Sequence, residues 1–397
     1  MIALAYINGI VAARRIEDFA TSLQVAPNRT DMSAPKRHLY LVLEDWEQGY
    51  TIRKIDVDSF EAAGASDGAG LDSMDPAPLP DPPVFRVEAE HGHAALFTAV
   101  GTRILAVHRS AGAGVPVFDT ATLALAVAPH PPPGDALVYC PTLVAVGGDR
   151  VYGLDCASYG DRAPRRFEAL HAPAPPRRRQ WSWSAVPAPP PFNPLFVACH
   201  AVHPDGRTVF FSVDVDPLGP AKKQSSGTFS FDTKRLEWNY HGGWMLPFRG
   251  QAHFDGELNA WVGLGGGGHG DAGVDSHVHV CCCDVVAPGR SRNKPPPPAT
   301  LKLGAELLFC DDKKRHVGAA LVYLGESRFC LLECVKAKAG KTKKNQEQGS
   351  HLLHVTAFGL KYGRKGELTT AMRRRGRSYV VPEEAANILG NPVAFWL

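Results

Sequence analysis

Residues 99–108 read AVGTRILAVH, where a short apolar stretch leads through a glycine turn into an alternating apolar strand. The same phrase returns, with variation, at residues 145–155, 201–213, 252–264 and 320–334. Apolar residues at every second position are typical of half-buried strands, and a glycine between two such runs is typical of a hairpin turn. The chain therefore repeats a β-hairpin, and this repeat is the main guide to its fold.

The spacing of the hairpins indicates which kind of repeat this is. One glycine marks each turn, and the intervals between them are 47, 58, 50 and 69 residues: Gly101, Gly148, Gly206, Gly256 and Gly325. Kelch-type propeller blades recur at about 50 residues and WD-type blades at about 40–45. Residues 39–56 add a sixth unit, in which a turn at 47–49 joins two strands. We therefore predict an all-β, kelch-like β-propeller of about six four-stranded blades, with a sandwich or a barrel as the alternative.

The domain organisation is predicted from the repeat and from breaks in composition. Residues 1–35 share no pattern with the repeats and are predicted to be a disordered extension. The propeller is predicted to span residues 36–382, closed by pairing of N- and C-terminal strands, with candidate closing strands between 351 and 381. Residues 383–397 are predicted to be a C-terminal tail. Loop insertions are predicted where Pro, Gly or Lys accumulates, at residues 64–83, 163–191, 288–298 and 336–350.

Composition limits the classes of partner. The formal net charge of the 397 residues is +3, which gives no general attraction to nucleic acid, so a nucleic-acid partner is not expected. No apolar run reaches the roughly 18 residues of a membrane helix, so no membrane partner is expected either. The apolar start of the chain is followed, rather than preceded, by arginines, unlike a secretion signal. Nine irregularly spaced cysteines favour reduced thiols and a cytoplasmic or nuclear location.

Two segments resemble known repeat proteins. Residues 144–152, VAVGGDRVY, resemble the kelch consensus, in which Gly-Gly follows an apolar strand and precedes a tyrosine. Residues 37–56, RHLYLVLEDWEQGYTIRKID, are similar to the opening of an uncharacterised plant family, expanded in grasses, with kelch-like repeats. That similarity extends from about residue 36 to about residue 382. The resemblance implies a plant origin, a propeller fold and an unknown role, and it supplies no catalytic residues.

The resemblance also raises the question of a ubiquitin-ligase adaptor. Plant kelch-like propellers often follow an F-box, which hands a bound protein to a ligase. The residues before the first predicted strand lack the Leu-Pro-rich start of an F-box helix bundle. We therefore do not expect a direct adaptor role.

One polar cluster suggests chemistry: His253, His269, Asp271, Asp275, His277 and His279. His277 and His279 alternate along a strand and share a face, as ligands of some metal sites do. The favoured interpretation is a glycine-rich loop with histidines on its solvated side. We predict no metal, no cofactor and no catalytic residue, and we keep a metal- or sugar-dependent enzyme on the same scaffold as the alternative.

The aromatic residues give the better functional hypothesis. Trp181 and Trp183 are two residues apart and share one face of a strand, beside an insertion that contains Arg177, Arg178 and Arg179. Loops on one face of a propeller often bind partners. These five residues, with His269 and His277, are the predicted partner-binding residues. The function predicted is a non-enzymatic protein-interaction module with an unidentified protein partner.

A basic run near the end of the chain leaves a further interpretation open. Residues 373–377 read RRRGR and are typical either of a nuclear-import or acidic-partner site or of a charged turn between strands.

Overall fold

The structure is a computed structural model. It describes residues 36–45, 49–60, 75–88, 95–108, 114–130, 139–156, 165–173, 180–214, 226–265, 278–288, 301–304, 308–310, 312, 314–338, 351–371, 375–382, 385 and 391–397. Within residues 37–397, which form one compact unit, the described segments are almost entirely β-strands joined by turns.

The first three antiparallel sheets follow one another along the chain. Sheet 1 contains β1 (Leu39–Asp45), β2 (Gly49–Ile55), β3 (Phe85–Val87) and β25 (Val393–Trp396). Sheet 2 contains β4 (Ala95–Val100), β5 (Arg103–His108), β6 (Val115–Asp119) and β7 (Leu125–Ala128). Sheet 3 contains β8 (Tyr139–Val146), β9 (Arg150–Cys156), β10 (Arg165–His171) and β11 (Ser182–Ala185).

Three further sheets complete the described strands. Sheet 4 contains β12 (Val197–Val202), β13 (Thr208–Val213), β14 (Gly227–Asp232) and β15 (Glu237–Gly242). Sheet 5 contains β16 (Arg249–Asp255), β17 (Ala260–Gly265), β18 (His279–Asp284) and β19 (Leu301–Leu303). Sheet 6 contains β20 (His316–Gly325), β21 (Arg328–Lys336), β22 (His351–Tyr362), β23 (Leu368–Thr370) and β24 (Arg375–Val381), and β22 pairs with both β23 and β24.

The strand order places the inner edge strand of each sheet at a common centre, and this strand is β25 in sheet 1 and the first strand in each of the other five sheets. The parallel pairing of β12 with β16 joins sheets 4 and 5 directly. Other inner strands also contact one another, β4 with β8, β16 with β20, and β20 with β25. The strands at the other end of each sheet, β3, β7, β11, β15, β19 and β24, form the outer edge strands. This radial arrangement confirms the all-β class and the β-propeller.

The apolar core lies between the sheets rather than at a single centre. Within the described residues, six buried clusters each join consecutive sheets, and the last joins sheet 6 back to sheet 1. Between sheets 3 and 4, for example, the rings of Phe167 and Phe231 meet edge to face with centroids 4.7 Å apart, a geometry worth about 1 kcal/mol beyond area burial. The ring of sheets is therefore held by sheet-on-sheet packing.

Closure of the ring uses a different strand from the one expected. The predicted pairing of N- and C-terminal strands is confirmed, because β1 pairs antiparallel with β25, with Leu41 opposite Ala394. His38 and Leu397 exchange backbone hydrogen bonds of 2.8 and 3.1 Å. The candidates between residues 351 and 381 were wrong for this role, since β24 pairs with β22. The closing strand instead lies in the predicted tail.

Two predicted insertions contain ordered structure. Residues 165–171 and 182–185, inside the predicted loop 163–191, are strands β10 and β11 of sheet 3. At the end of the predicted loop 64–83, the N–H of Ala77 donates to the carbonyl of Ser378 over 2.9 Å and Leu79 is buried. Strands β10 and β11 were not recognised in the sequence, because both are short and the segment between them is rich in proline and arginine. The predicted start of the domain at residue 36 remains a prediction, whereas the predicted end at residue 382 leaves out the closing strand β25.

The glycine turns that mark the repeat have the backbone conformation that explains them. Gly101, Gly148, Gly206 and Gly325 have positive φ of 59°, 75°, 68° and 93°, which costs glycine little and other residues more. In the fourth hairpin the left-handed position is taken by Asn259, at φ 47°, a residue type that tolerates it.

Candidate interaction surface

Trp181 lies in the core rather than on a surface. Its side chain is only 8% exposed and packs in the cluster between sheets 2 and 3, beside Leu105 and Leu170. The guanidinium carbon of Arg103 lies 5.8 Å from the centre of the ring. The aromatic platform predicted for Trp181 and Trp183 is therefore wrong for Trp181, which directly precedes β11 and whose side chain is covered by the neighbouring sheet.

Trp183 forms a hydrogen bond to the preceding segment of the chain. It is half-buried, and its Nε1–H donates to the carbonyl of Pro129 in the preceding sheet over 2.8 Å. Trp238 and Trp261 make comparable bonds of 3.0 Å, to the carbonyls of Ala188 and Val202. These indoles pack as apolar surface and also satisfy a carbonyl on an adjacent segment. The other predicted partner-binding residues, Arg177, Arg178, Arg179, His269 and His277, lie outside the described residues.

The described histidines of the predicted polar cluster do not converge. His253 lies on the inner strand β16, opposite Val262, whereas His279 lies two strands away, opposite Gly265. The described residues contain no group of three His, Cys, Asp or Glu side chains arranged to hold a metal. His269, Asp271, Asp275 and His277 lie outside the described part of the chain.

Two histidines near the centre are held neutral. His253 Nε2 lies 3.0 Å from the carbonyl oxygen of Leu321, so Nε2 carries the proton. Burial lowers the pKa of His253, and this hydrogen bond offsets part of the effect. Burial, with a smaller contribution from His253, lowers the pKa of His200 to about 4. Both rings are therefore uncharged at neutral pH.

The depressed pKa of His200 predicts acid sensitivity. Between its ordinary pKa of about 6.5 and the folded value of about 4, the unfolded chain binds a proton that the folded chain does not. Stability is therefore lost as pH falls through this window, by about 2 kcal/mol between pH 7 and pH 5. Urea unfolding of wild type and His200→Gln at several pH values measures this. Equal pH slopes for the two proteins would contradict it.

The adjacent cysteines are buried strand residues. Burial is the main cause that raises the pKa of Cys281 and Cys283, and it raises that of Cys199 to about 11. The thiols are therefore protonated, and they are poor nucleophiles and metal ligands. Of the nine cysteines, seven have side chains that the structure describes, and none of these seven forms a disulfide: Cys199, Cys281, Cys282, Cys283, Cys310, Cys330 and Cys334.

The second half of the basic run near the end of the chain lies in a strand, and Arg373 and Arg374 lie outside the described residues. Arg375 and Arg377, the two of its arginines that are described, begin strand β24 and are exposed. No helix in the described part of the chain combines the length and apolarity needed to cross a membrane.

The outer edge strands differ in whether they carry polar side chains. Charged residues, or serines in the case of β11, occur on all of these strands except β7: Arg86, Ser182, Ser184, Glu237, Lys302, Arg375 and Arg377. β7 reads Leu-Ala-Val-Ala. Charges on edge strands are a common protection against pairing with another chain. Among the described outer edges, β7 lacks polar side chains altogether.

The segment around β7 also exposes large apolar side chains. Leu123, Leu125 and Val127 are 71%, 45% and 66% exposed, and they occupy alternate positions. Ala124 and Ala126 occupy the positions between them and are also exposed. We call residues 123–127 the apolar edge. An exposed hydrophobic edge strand is a site where another strand adds readily.

The register shows which backbone groups of the apolar edge are available. Asp119 N–H donates to the carbonyl of Ala124 over 2.9 Å, and Val117 lies opposite Ala126. Hydrogen-bonded and non-bonded pairs alternate in an antiparallel ladder. The backbone groups of Ala124 and Ala126 therefore point to β6, and those of Leu125 and Val127 point away from the sheet.

Both ends of the apolar edge are fixed in place. At its start, the Asp119 carboxylate accepts hydrogen bonds from Ala121 N–H at 3.0 Å and Thr102 Oγ at 2.9 Å. Burial would raise the pKa of Asp119, but these bonds and Arg103 together lower it, so the carboxylate is charged at neutral pH. At its end, Trp183 holds Pro129. The apolar edge is therefore ordered in the unbound protein.

Sequence reasoning missed the apolar edge although the signal was visible. Residues 121–129 read ATLALAVAP, with alternating large and small apolar residues and no charge. The turn before them is recognisable in the sequence, because FDTATL at 118–123 matches FDTKRL at 231–236. In the second copy Asp232 accepts from Lys234 N–H at 2.9 Å, as Asp119 does in the first. The strand after each turn differs, and only position in the sheet shows that β7 is an edge.

Comparisons with known proteins leave the role of the chain open. A search of curated proteins found no match. Among solved structures, TolB from Acinetobacter baumannii is 10% identical with a TM-score of 0.42, and the alignment covers 91% of this chain but only 66% of TolB. The periplasmic gluconolactonase PpgL of Pseudomonas aeruginosa is 11% identical with a TM-score of 0.38, covering 87% of this chain and 99% of that one.

At these TM-scores the propeller assignment depends on strand pairing and on the ring of apolar clusters. The family comparison is more specific, because one family model, described as a protein of unknown function, matches residues 36–379 continuously. This match contains the opening strands β1 and β2 and strands of all six sheets, and it ends before the closing strand β25. The chain belongs to the DUF1668 family of proteins of unknown function.

Proposed function

We propose that the chain is a non-enzymatic protein-interaction module that adds an extended segment of a protein partner along the apolar edge. One observation carries the proposal: Leu125 and Val127 combine exposed apolar side chains with backbone groups directed away from the sheet. Strand addition uses these two features together, because the backbone supplies hydrogen bonds and alternate side chains supply specificity. The fixed ends of the edge reduce the entropy lost when a partner binds.

Other features of the chain support the finer parts of this proposal. The Gly147-Gly148 turn has both glycines at positive φ, 68° and 75°, which supports the kelch-like assignment made for that hairpin and, with it, a relationship to the plant kelch-like proteins. The seven cysteines whose side chains are described form no disulfide, and this supports a cytoplasmic or nuclear location. The separation of His253 from His279 gives no support to the alternative, a metal- or sugar-dependent enzyme.

Site-specific photocrosslinking tests the proposed function. A benzophenone-bearing amino acid is placed at position 127, and a matched protein carries it at position 303, because Leu303 is 51% exposed on the outer edge strand β19. In extract of the native tissue, we expect a discrete crosslinked protein from position 127 and none from position 303. We also expect Leu125→Lys to reduce the yield at least tenfold.

Two outcomes would contradict the proposed function. One is equal crosslinking from positions 127 and 303, which would show that the apolar edge associates with proteins nonspecifically. The other is catalytic turnover of a small molecule that is lost in His253→Ala while crosslinking from position 127 is absent.

A further inference from the structure

We propose that the partner of the apolar edge is a second copy of this chain, with the two β7 strands antiparallel about a two-fold axis at Ala126. This inference rests on the proposed function, because it requires the outer edge of β7 to accept a strand. It adds the identity of the partner and the register of pairing. The two four-stranded sheets then form one continuous sheet across the axis.

The register of the self-pairing follows from the backbone. With Ala126 opposite its counterpart, Leu125 of one copy faces Val127 of the other, and the reverse pair is equivalent. Leu125 and Val127 are the residues whose backbone groups point outward. Each such pair exchanges two backbone hydrogen bonds in an antiparallel ladder. The self-pairing therefore uses the available donors and acceptors without changing the pairing with β6.

The side chains also match in this register. Leu125 and Val127 lie on one face of the strand, so each Leu–Val pair places two exposed apolar side chains together across the axis. The other face carries only alanines, which let the strands approach. Symmetric pairing of a charged edge would bring two sets of like charges close to the axis. Residues 121–129 contain no charge, so a second copy meets no electrostatic penalty.

The interface is small, and this limits its strength. Pairing along the apolar edge alone buries less area than a permanent dimer interface, so we expect a dimer that dissociates on dilution. A symmetric interface closes on itself, and it produces dimers rather than open fibres. The expected species is therefore a monomer–dimer equilibrium that depends on protein concentration.

Charge exchange across the axis tests the register. Val127→Lys and Leu125→Asp each place a charge opposite an apolar residue of the second copy, so each variant alone should dimerise at least tenfold more weakly than wild type. Mixing the two variants places the introduced lysine opposite the introduced aspartate in one pair and restores Val127 opposite Leu125 in the other. Sedimentation equilibrium should therefore show the dimer again in the mixture. Leu303→Lys on β19 serves as the control and should dimerise as wild type does.

Val127→Pro separates the backbone contribution from the side-chain contribution. Because the N–H of Val127 points away from β6, proline at this edge position should leave the fold intact, as circular dichroism would check. It removes a donor needed by the second copy, and it should weaken dimerisation at least tenfold.

The outcomes separate this inference from the proposed function. A dimer that persists unchanged in Val127→Lys, or a mixture that shows no recovery, would overturn the self-pairing. A protein that stays monomeric at every concentration while position 127 crosslinks to a different protein would overturn the inference and keep the proposed function. A monomer without crosslinks would overturn both.

Discussion

Phe395→Pro should lower the free energy of unfolding by about 3–5 kcal/mol. His38 and Leu397 exchange hydrogen bonds, so by alternation Phe395 is also bonded to β1, opposite Tyr40, whereas the N–H of Ala394 points away from β1. Proline at position 395 removes one hydrogen bond of the β1–β25 ladder. It also removes the phenyl side chain, which packs between sheets 1 and 2. The closing strand β25 would then detach from β1.

Two variants separate these causes. Ala394→Pro keeps the ladder bonds to β1 and should cost clearly less than Phe395→Pro, while Phe395→Ala measures the loss of the ring alone. Guanidinium unfolding of the purified proteins gives the three values. If Ala394→Pro were as destabilising as Phe395→Pro, the pairing of β25 with β1 described here would be wrong.

Asp255→Ala should cost about 3–5 kcal/mol of stability. Its carboxylate is fully buried and accepts from Leu258 N–H at 2.8 Å, Ser327 N–H at 2.9 Å and Ser327 Oγ at 2.8 Å. These bonds join the β16–β17 turn of sheet 5 to the β20–β21 turn of sheet 6. Alanine would leave buried donors without an acceptor, which costs more than the bonds contribute.

A nearby acidic residue provides the matched control for Asp255. Glu257 lies two residues away and is exposed, and it accepts one hydrogen bond of 3.0 Å from Ser327 Oγ. The side-chain oxygen of glutamine can also accept this bond, so Glu257→Gln should change stability by no more than about 0.5 kcal/mol. Thermal and urea unfolding of both variants measure the difference. A loss below about 1 kcal/mol for Asp255→Ala would mean that the junction between sheets 5 and 6 does not depend on this carboxylate.

Local turn chemistry made much of the fold predictable. The turns at Gly101 and Gly206 could be predicted without tertiary information, because glycine between two apolar runs indicates a turn residue with positive φ. The Asp119 and Asp232 turns are recognisable for a different reason, because an aspartate side chain can accept a hydrogen bond from the backbone N–H two residues ahead. The closing strand was not, because residues 393–396 read VAFW, and so short an apolar run is compatible with a tail, a helix or a strand.

The candidate site was less predictable because its meaning depends on neighbours. Trp181 and Trp183 looked like a binding platform because they share a face, but the sequence does not state that sheet 2 covers that face. Conversely, Leu125 and Val127 looked like ordinary strand residues, since only the position of β7 at an outer edge exposes them. Burial is a property of the sheet arrangement, and an alternating pattern alone does not reveal it.

Amide hydrogen exchange along β7 tests the central claim most directly, since neighbouring amides are internal controls. Ala126 N–H points to β6 and should exchange slowly at every protein concentration, whereas Leu125 and Val127 should exchange rapidly in dilute solution. In concentrated solution, where the second copy docks, we predict that Leu125 and Val127 become protected and that Leu303 does not change. Leu125 and Val127 amides that exchange equally fast at all concentrations, and equally fast when a crosslinked partner is bound, would contradict the assignment of the apolar edge as the docking site.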